Sequence, residues 1–177
     1  DLSKAGIFYS TYAHMANGIW STSKEPTRGG AMGRAFNLNS ETFYLNDREG
    51  PKTISKEELT HKREYSEDEL WDNFEYYINA VKPIIEESGV KIGIHPDDPP
   101  GIKLGGIPRC IFSTFSGYER ALEIADSPNI GVCLCAGTWL EGGNTTEKNV
   151  TQMAKYFGDQ NKLFKIHFRN VDKPLPH

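Results

Sequence analysis

The sequence predicts an α/β fold built on a parallel sheet, and three observations carry that prediction. Short apolar runs recur at 5–11 (AGIFYST), 90–95 (VKIGIH), 130–135 (IGVCLC) and 162–168 (KLFKIHF), each about the length of a buried strand. Stretches with helical periodicity stand between the later runs. From about residue 66 the order is therefore helix, strand, helix, strand, helix, strand, which is the alternation of right-handed βαβ units.

The first helix is expected over 66–89. Ser66 and Glu69 form a capping box, and Leu70, Phe74, Tyr77, Ile78, Val81 and Ile85 make one apolar stripe. Gly89 is placed to end it and Pro83 to kink it. The second helix is expected over 116–126, with Ser116 and Glu119 as another box and Tyr118, Ala121, Leu122 and Ala125 turned inward. The third spans 145–158, with Val150, Met153, Ala154 and Phe157 on one face and Gly158 at the stop. Residues 12–65, which include STSKEPTRGGAMGRAFN, show little periodicity. They are expected to be a long loop or insert, a candidate lid over a site.

Composition narrows the function classes. The chain has 177 residues, so 1–177 is expected to be one domain or part of one. A net charge of −4 with 20 Lys+Arg gives no basic surplus for phosphates, which argues against nucleic acid as a partner. No apolar run approaches the roughly 20 residues that span a bilayer, and no secretory signal is visible at the amino terminus. Three cysteines are too few and too odd in number for a disulfide framework, so a reducing, cytoplasmic setting is expected. The sequons at Asn144 and Asn149 are then chance matches. The start without Met suggests a trimmed or incomplete chain.

Chemistry concentrates at three strand ends. In KIGIHPDDPP a β-branched run ends in His95 and a proline turn, so a polar cluster sits where the strand stops. Cys135 ends the next strand and His167 lies near the end of the one after. In a parallel arrangement the carboxyl ends of the strands share one face, where active sites sit. His95, Cys135 and His167 are therefore candidate ligands of one divalent metal. Imidazole and thiolate suit Zn or another late transition metal, and added carboxylate or water ligands admit Mn or Fe. Each residue alone is more often structural, and it is the matched positions on successive strands that raise the joint reading.

Cys133 is read as interior packing one layer below Cys135, and Cys110 as loop or core packing. Arg169 follows His167 by two and points inward, where it can clamp a carboxylate; a surface-facing arginine is the alternative. Arg109 is placed for a substrate contact or a loop salt bridge. Asp97 and Asp98 are candidates to orient the histidine, though Asp is also common in proline turns. His14, Trp20 and Arg28 lie in the long loop, where they line a sugar site or are simply solvated. His61 is assigned to solvent.

GIHPDDPP, GGIPR, DSPNIGVCLCAG and KIHFRNV follow one another in the order and at the spacing seen in the mannonate dehydratases of hexuronate breakdown, and the chain resembles that family. The resemblance is strong over about 68–171 and looser over 6–37. It implies a (β/α)8 TIM barrel of the xylose-isomerase-like type, of which about four βα units are present here. It also implies a Mn2+ (or Fe2+) cofactor and dehydration of D-mannonate to 2-keto-3-deoxy-D-gluconate. His95, Cys135 and His167 match the family's metal-ligand motifs, and Arg169, Arg109 and His14 are the candidate substrate-binding residues. The fourth ligand, an Asp, and the acid–base residues are expected beyond His177, so the chain is expected to be a partial segment, inactive by itself. A homodimer is admitted as the assembly. The alternatives are a sugar isomerase or epimerase on the same barrel type, and a non-catalytic, metal-stabilised sugar-binding module.

Overall fold

A computed structural model describes residues 1–47 and 50–175. The chain enters through β1 (Tyr9–Tyr12) and then builds antiparallel structure: β2 (Ile19–Ser21), β3 (Ser23–Pro26), β4 (Met32–Ala35), β5 (Phe43–Asp47) and β6 (Gly50–Ile54). The alternating part follows, with α1 (Glu67–Ser88), β7 (Lys91–Ile94), the short β8 (Lys103–Leu104) and β9 (Ile107–Pro108), and α2 (Phe115–Ala125). It ends with β10 (Ile130–Cys135), α3 (Ala136–Glu141), α4 (Val150–Asp159) and β11 (Leu163–His167).

β1, β7, β10 and β11 form one parallel sheet in that order. The register pairs Tyr12 with Ile94, Ile94 with Val132, and Cys135 with His167. Parallel neighbours need crossovers, and the helices supply them. The buried face of α1, Leu70, Trp71, Phe74, Ile78 and Ile85, packs with Tyr118, Ala121 and Ala125 of α2 against Ile94, Ile130, Val132 and Leu134. Every residue of β10 is buried, as a central parallel strand covered on both faces should be. The edges are barer: Phe168, just past β11, is fully exposed. Among the described residues β11 does not pair back to β1, so the sheet is open and four-stranded. Also among the described residues, no helix is long and apolar enough to cross a membrane.

The stretch expected as a long loop over 12–65 carries regular structure. β2, β5 and β6 form a three-stranded antiparallel sheet, and β3 and β4 form a hairpin. Trp20, Phe36, Phe43, Leu45, Ile54 and Leu104 make a second small core beneath them. The strands are short, and only β5 alternates markedly, with Phe43 and Leu45 buried and Tyr44 exposed between them. Trp20 accordingly lies in this core and not on a solvated loop.

Local signals were sharper at helix starts. Ser66 and Glu69 form the capping box of α1, which runs through Pro83 as one helix and ends at left-handed Gly89. The start of α2 differs from expectation. Thr114 is the cap, accepting from the Gly117 N–H at 3.0 Å, while the Ser116 N–H donates to Glu147 across 31 residues. The capping box of α4 is Asn149 with Gln152, and the helix continues through Gly158 to Asp159.

These contacts predict a steep contrast along α1. Phe74→Ala removes a fully buried ring and should cost about 3–5 kcal/mol. Tyr76→Ala, at a side chain 79% exposed, should stay within about 0.5 kcal/mol. Urea unfolding checks both; equal losses would contradict the packing described.

Candidate metal centre

Each of the three proposed ligands is carried to one place by its strand. His95 follows β7, and its N–H donates to the Tyr12 carbonyl at 2.7 Å. Cys135 closes β10, and His167 closes β11 opposite it. One ligand atom from each of these three residues lies within 4.8 Å of the other two. Around a single ion with bonds of about 2.0–2.3 Å, donors sit about 3–4.5 Å apart, so small side-chain adjustments would close the three on one metal. The imidazoles of His95 and His167 have centroids 5.1 Å apart, tilted by 47°.

The chemistry of the donors fits a cation. His95 Nδ1 lies 2.7 Å from the Pro96 carbonyl, which can only accept, so Nδ1 donates there and Nε2 is the nitrogen left for Cys135 or a cation. Burial pushes the Cys135 thiol up, but hydrogen bonds from His95 and Thr138 and the charge of Arg169 outweigh it and bring the thiol down to about 7. Burial lowers His95, yet its contacts with Cys135 and the Pro96 carbonyl prevail and leave it raised. His167 is lowered by burial and by the positive charges of His95, Lys165 and Arg169, so it stands neutral and able to donate a lone pair.

The other sequence candidates fall in different places. Arg169 reaches the cluster but is already engaged: Nη2 donates to Thr138 Oγ1 at 2.8 Å and approaches Glu141 Oε2 at 3.3 Å, and Nη1 lies 3.6 Å from Asp98 Oδ2. Arg109 is buried, and its fork is spent on the Asp98 and Gly18 carbonyls, Asn17 and Met15, so it ties loops together. Among the described residues its Nε has no hydrogen-bond partner. His14 turns to the helix layer, with Nδ1 2.5 Å from the Tyr12 hydroxyl and its ring edge-on to Phe74. Asp97 is buried beside Ser113, and burial raises it to about 6 against the pull of Arg109. Cys133 is buried as expected, but its Sγ lies 3.7 Å from His167 Nε2, nearer the cluster than a deeper layer suggested.

Two residues at the centre escaped the sequence reading. Thr138 and Glu141 lie on α3, a six-residue helix flanked by Gly142 and Gly143 that is too short to show a period. Their i, i+3 spacing puts both on one face, and that was the available signal. Burial and the negative charge of Asp98 push the Glu141 carboxyl up to about 7, against the attraction of Arg169.

Residues 45–175 match the family model D-mannonate dehydratase (UxuA). The chain belongs to the D-mannonate dehydratase family. It is 32% identical over 184 residues to a mannonate dehydratase of Streptococcus equi subsp. zooepidemicus, a match covering 97% of this chain and 49% of that protein. It is 36% identical over 114 residues to mannonate dehydratase 2 of Halalkalibacterium halodurans, covering 64% of this chain and 32% of that protein. The fold is similar to the crystal structure of mannonate dehydratase from Streptococcus suis serotype 2, with a TM-score of 0.74 and 31% identity over 96% of this chain and 45% of that one. The chain thus spans about a third to a half of the length of the relatives it matches.

Binding a cation here requires a Cys135 thiolate and a neutral His95, so acid should oppose it. Divalent metal affinity is expected to fall as pH drops below about 7, by up to ~10-fold per pH unit for each proton displaced. Competition titration against a chelator at several pH values measures this. An affinity flat from neutral to acid pH would contradict the assignment.

Proposed function

We propose that this chain forms part of a metal-dependent mannonate dehydratase, which removes water from D-mannonate to give 2-keto-3-deoxy-D-gluconate. The observation that carries the proposal is the convergence of His95, Cys135 and His167 at the carboxyl ends of three adjacent parallel strands, in a chain of this family. Two imidazoles and one thiolate leave room for oxygen ligands, which Mn2+ or Fe2+ adds readily, and one of these is the proposed ion. The four strands are proposed as half of a (β/α)8 barrel, with residues 1–177 in one domain and the centre on its carboxyl-terminal rim. The setting proposed is cytoplasmic.

When bound, the metal supplies Lewis acidity at a substrate oxygen, which makes the proton beside the carboxylate easier to remove. The chain's own residues hold and orient. His95, Cys135 and His167 would fix the ion. Arg169 supplies the positive charge that acts on Cys135, and its side chain is 40% exposed. That exposure lets it exchange part of its contact with Asp98 or Glu141 for a substrate carboxylate. Arg109 ties together the loops beside the centre, and His14 packs on Tyr12 and Phe74 in the layer behind it. The proposed general acid and base lie outside the residues described.

Product analysis with D-mannonate in the full-length protein tests the proposal. Formation of the 2-keto-3-deoxy acid is expected, with loss of turnover by at least ~100-fold in His95→Ala and restoration by no metal. Isomerised product from neutral ketoses would instead favour an isomerase, and turnover unchanged in His95→Ala would overturn the metal role. Arg169→Lys should weaken mannonate binding, because the planar fork is lost although the charge stays. Unchanged KM and kcat would contradict a substrate contact.

A further inference from the structure

Thr138 is completely buried on the first turn of α3, and its hydroxyl sits among three polar groups. Arg169 Nη2 lies 2.8 Å from Oγ1 and can only donate, so the hydroxyl accepts there and must send its own proton elsewhere. Two acceptors are in reach, Cys135 Sγ at 3.2 Å and Asp98 Oδ2 at 3.4 Å. Sulfur is the larger atom, so 3.2 Å to Sγ is a full hydrogen bond. A separation of 3.4 Å to a carboxylate oxygen is long for an O–H donor, which prefers about 2.7 Å. Asp98 is in any case partly neutralised by Arg169 Nη1. Gly137 makes the arrangement possible, since a Cβ at that position would collide with Arg169 Nε and Cγ.

We propose that Thr138 is a positioning residue for the metal centre: its hydroxyl, oriented by Arg169, donates to Cys135 Sγ and holds the sulfur in its ligating direction. The inference rests on the metal-centre reading and adds to it a chain of command from Arg169 through Thr138 to Cys135. Arg169 then has a role independent of substrate. A thiolate that accepts this bond is also a weaker electron donor than a bare one, so Thr138 sets the sulfur's electronic character as well as its direction.

Co2+ loading gives the test, because a cobalt–thiolate charge-transfer band reports the sulfur directly. In Thr138→Val the band is expected to move to lower energy, and Co2+ affinity in a chelator competition to fall by about 10- to 100-fold. Thr138→Ser, which keeps the hydroxyl, should restore both. Arg169→Gln should shift the band in the same direction, and by less in a Thr138→Val background, where only the direct effect of its charge on the sulfur remains. A band and affinity unchanged in Thr138→Val, or lost equally in Thr138→Ser, would overturn the proposal. Should Thr138→Val fail to fold by circular dichroism, an unshifted band in Arg169→Gln would overturn it instead. Wild-type protein that takes up Co2+ without any sulfur band would refute the metal-centre reading itself, a distinguishable result.

Discussion

Parallel pairing of β7, β10 and β11 governs what the molecule can do, because side chains at matched heights on parallel strands cannot avoid one another. Cys135 and His167 face each other through the ladder, and His95 arrives one strand away. The helices on the outside hold that ladder in register. A slip of one residue would turn each ligand to the opposite face of the sheet. The core around Phe74, Tyr118 and Val132 is thus the apparatus that keeps three donors on one point.

Around that point the structure arranges charge in a ring. Arg169 bridges Asp98 and Glu141, Thr138 links Arg169 to Cys135, and Pro96 fixes the tautomer of His95. Each contact acts on a donor's direction or its proton. The centre is therefore biased toward a Cys135 thiolate and a neutral His167 before any cation arrives, and such preorganisation reduces the cost of binding. Arg109 performs a different task further out, gathering the loops after β1 and β7 through the Asp98 and Gly18 carbonyls.

Legibility followed signal length. IGVCLC and KLFKIHF read as strands because buried parallel strands are continuous apolar runs, and their ends placed Cys135 and His167 correctly at one edge. Ser66 with Glu69 marked a helix start for the same reason that it caps one. The antiparallel strands between 19 and 54 were not legible, since their hydrophobic residues, Trp20, Phe43, Leu45 and Ile54, meet only in three dimensions. Ser116 fits a cap in sequence, but Thr114 holds that position and Ser116 instead meets Glu147, 31 residues away, a contact that no local pattern shows. Thr138 and Glu141 stayed hidden on a helix of six residues, and Arg169's partners with them.

The central claim is that two imidazoles and one thiolate share a single ion. X-ray absorption at the metal edge, on protein loaded with one equivalent of divalent metal, measures the first shell directly. The account predicts one sulfur scatterer near about 2.3 Å and nitrogen scatterers near about 2.1 Å, with the sulfur lost in Cys135→Ser. A shell of light atoms alone in the wild-type protein, or a sulfur that persists in Cys135→Ser, would contradict it.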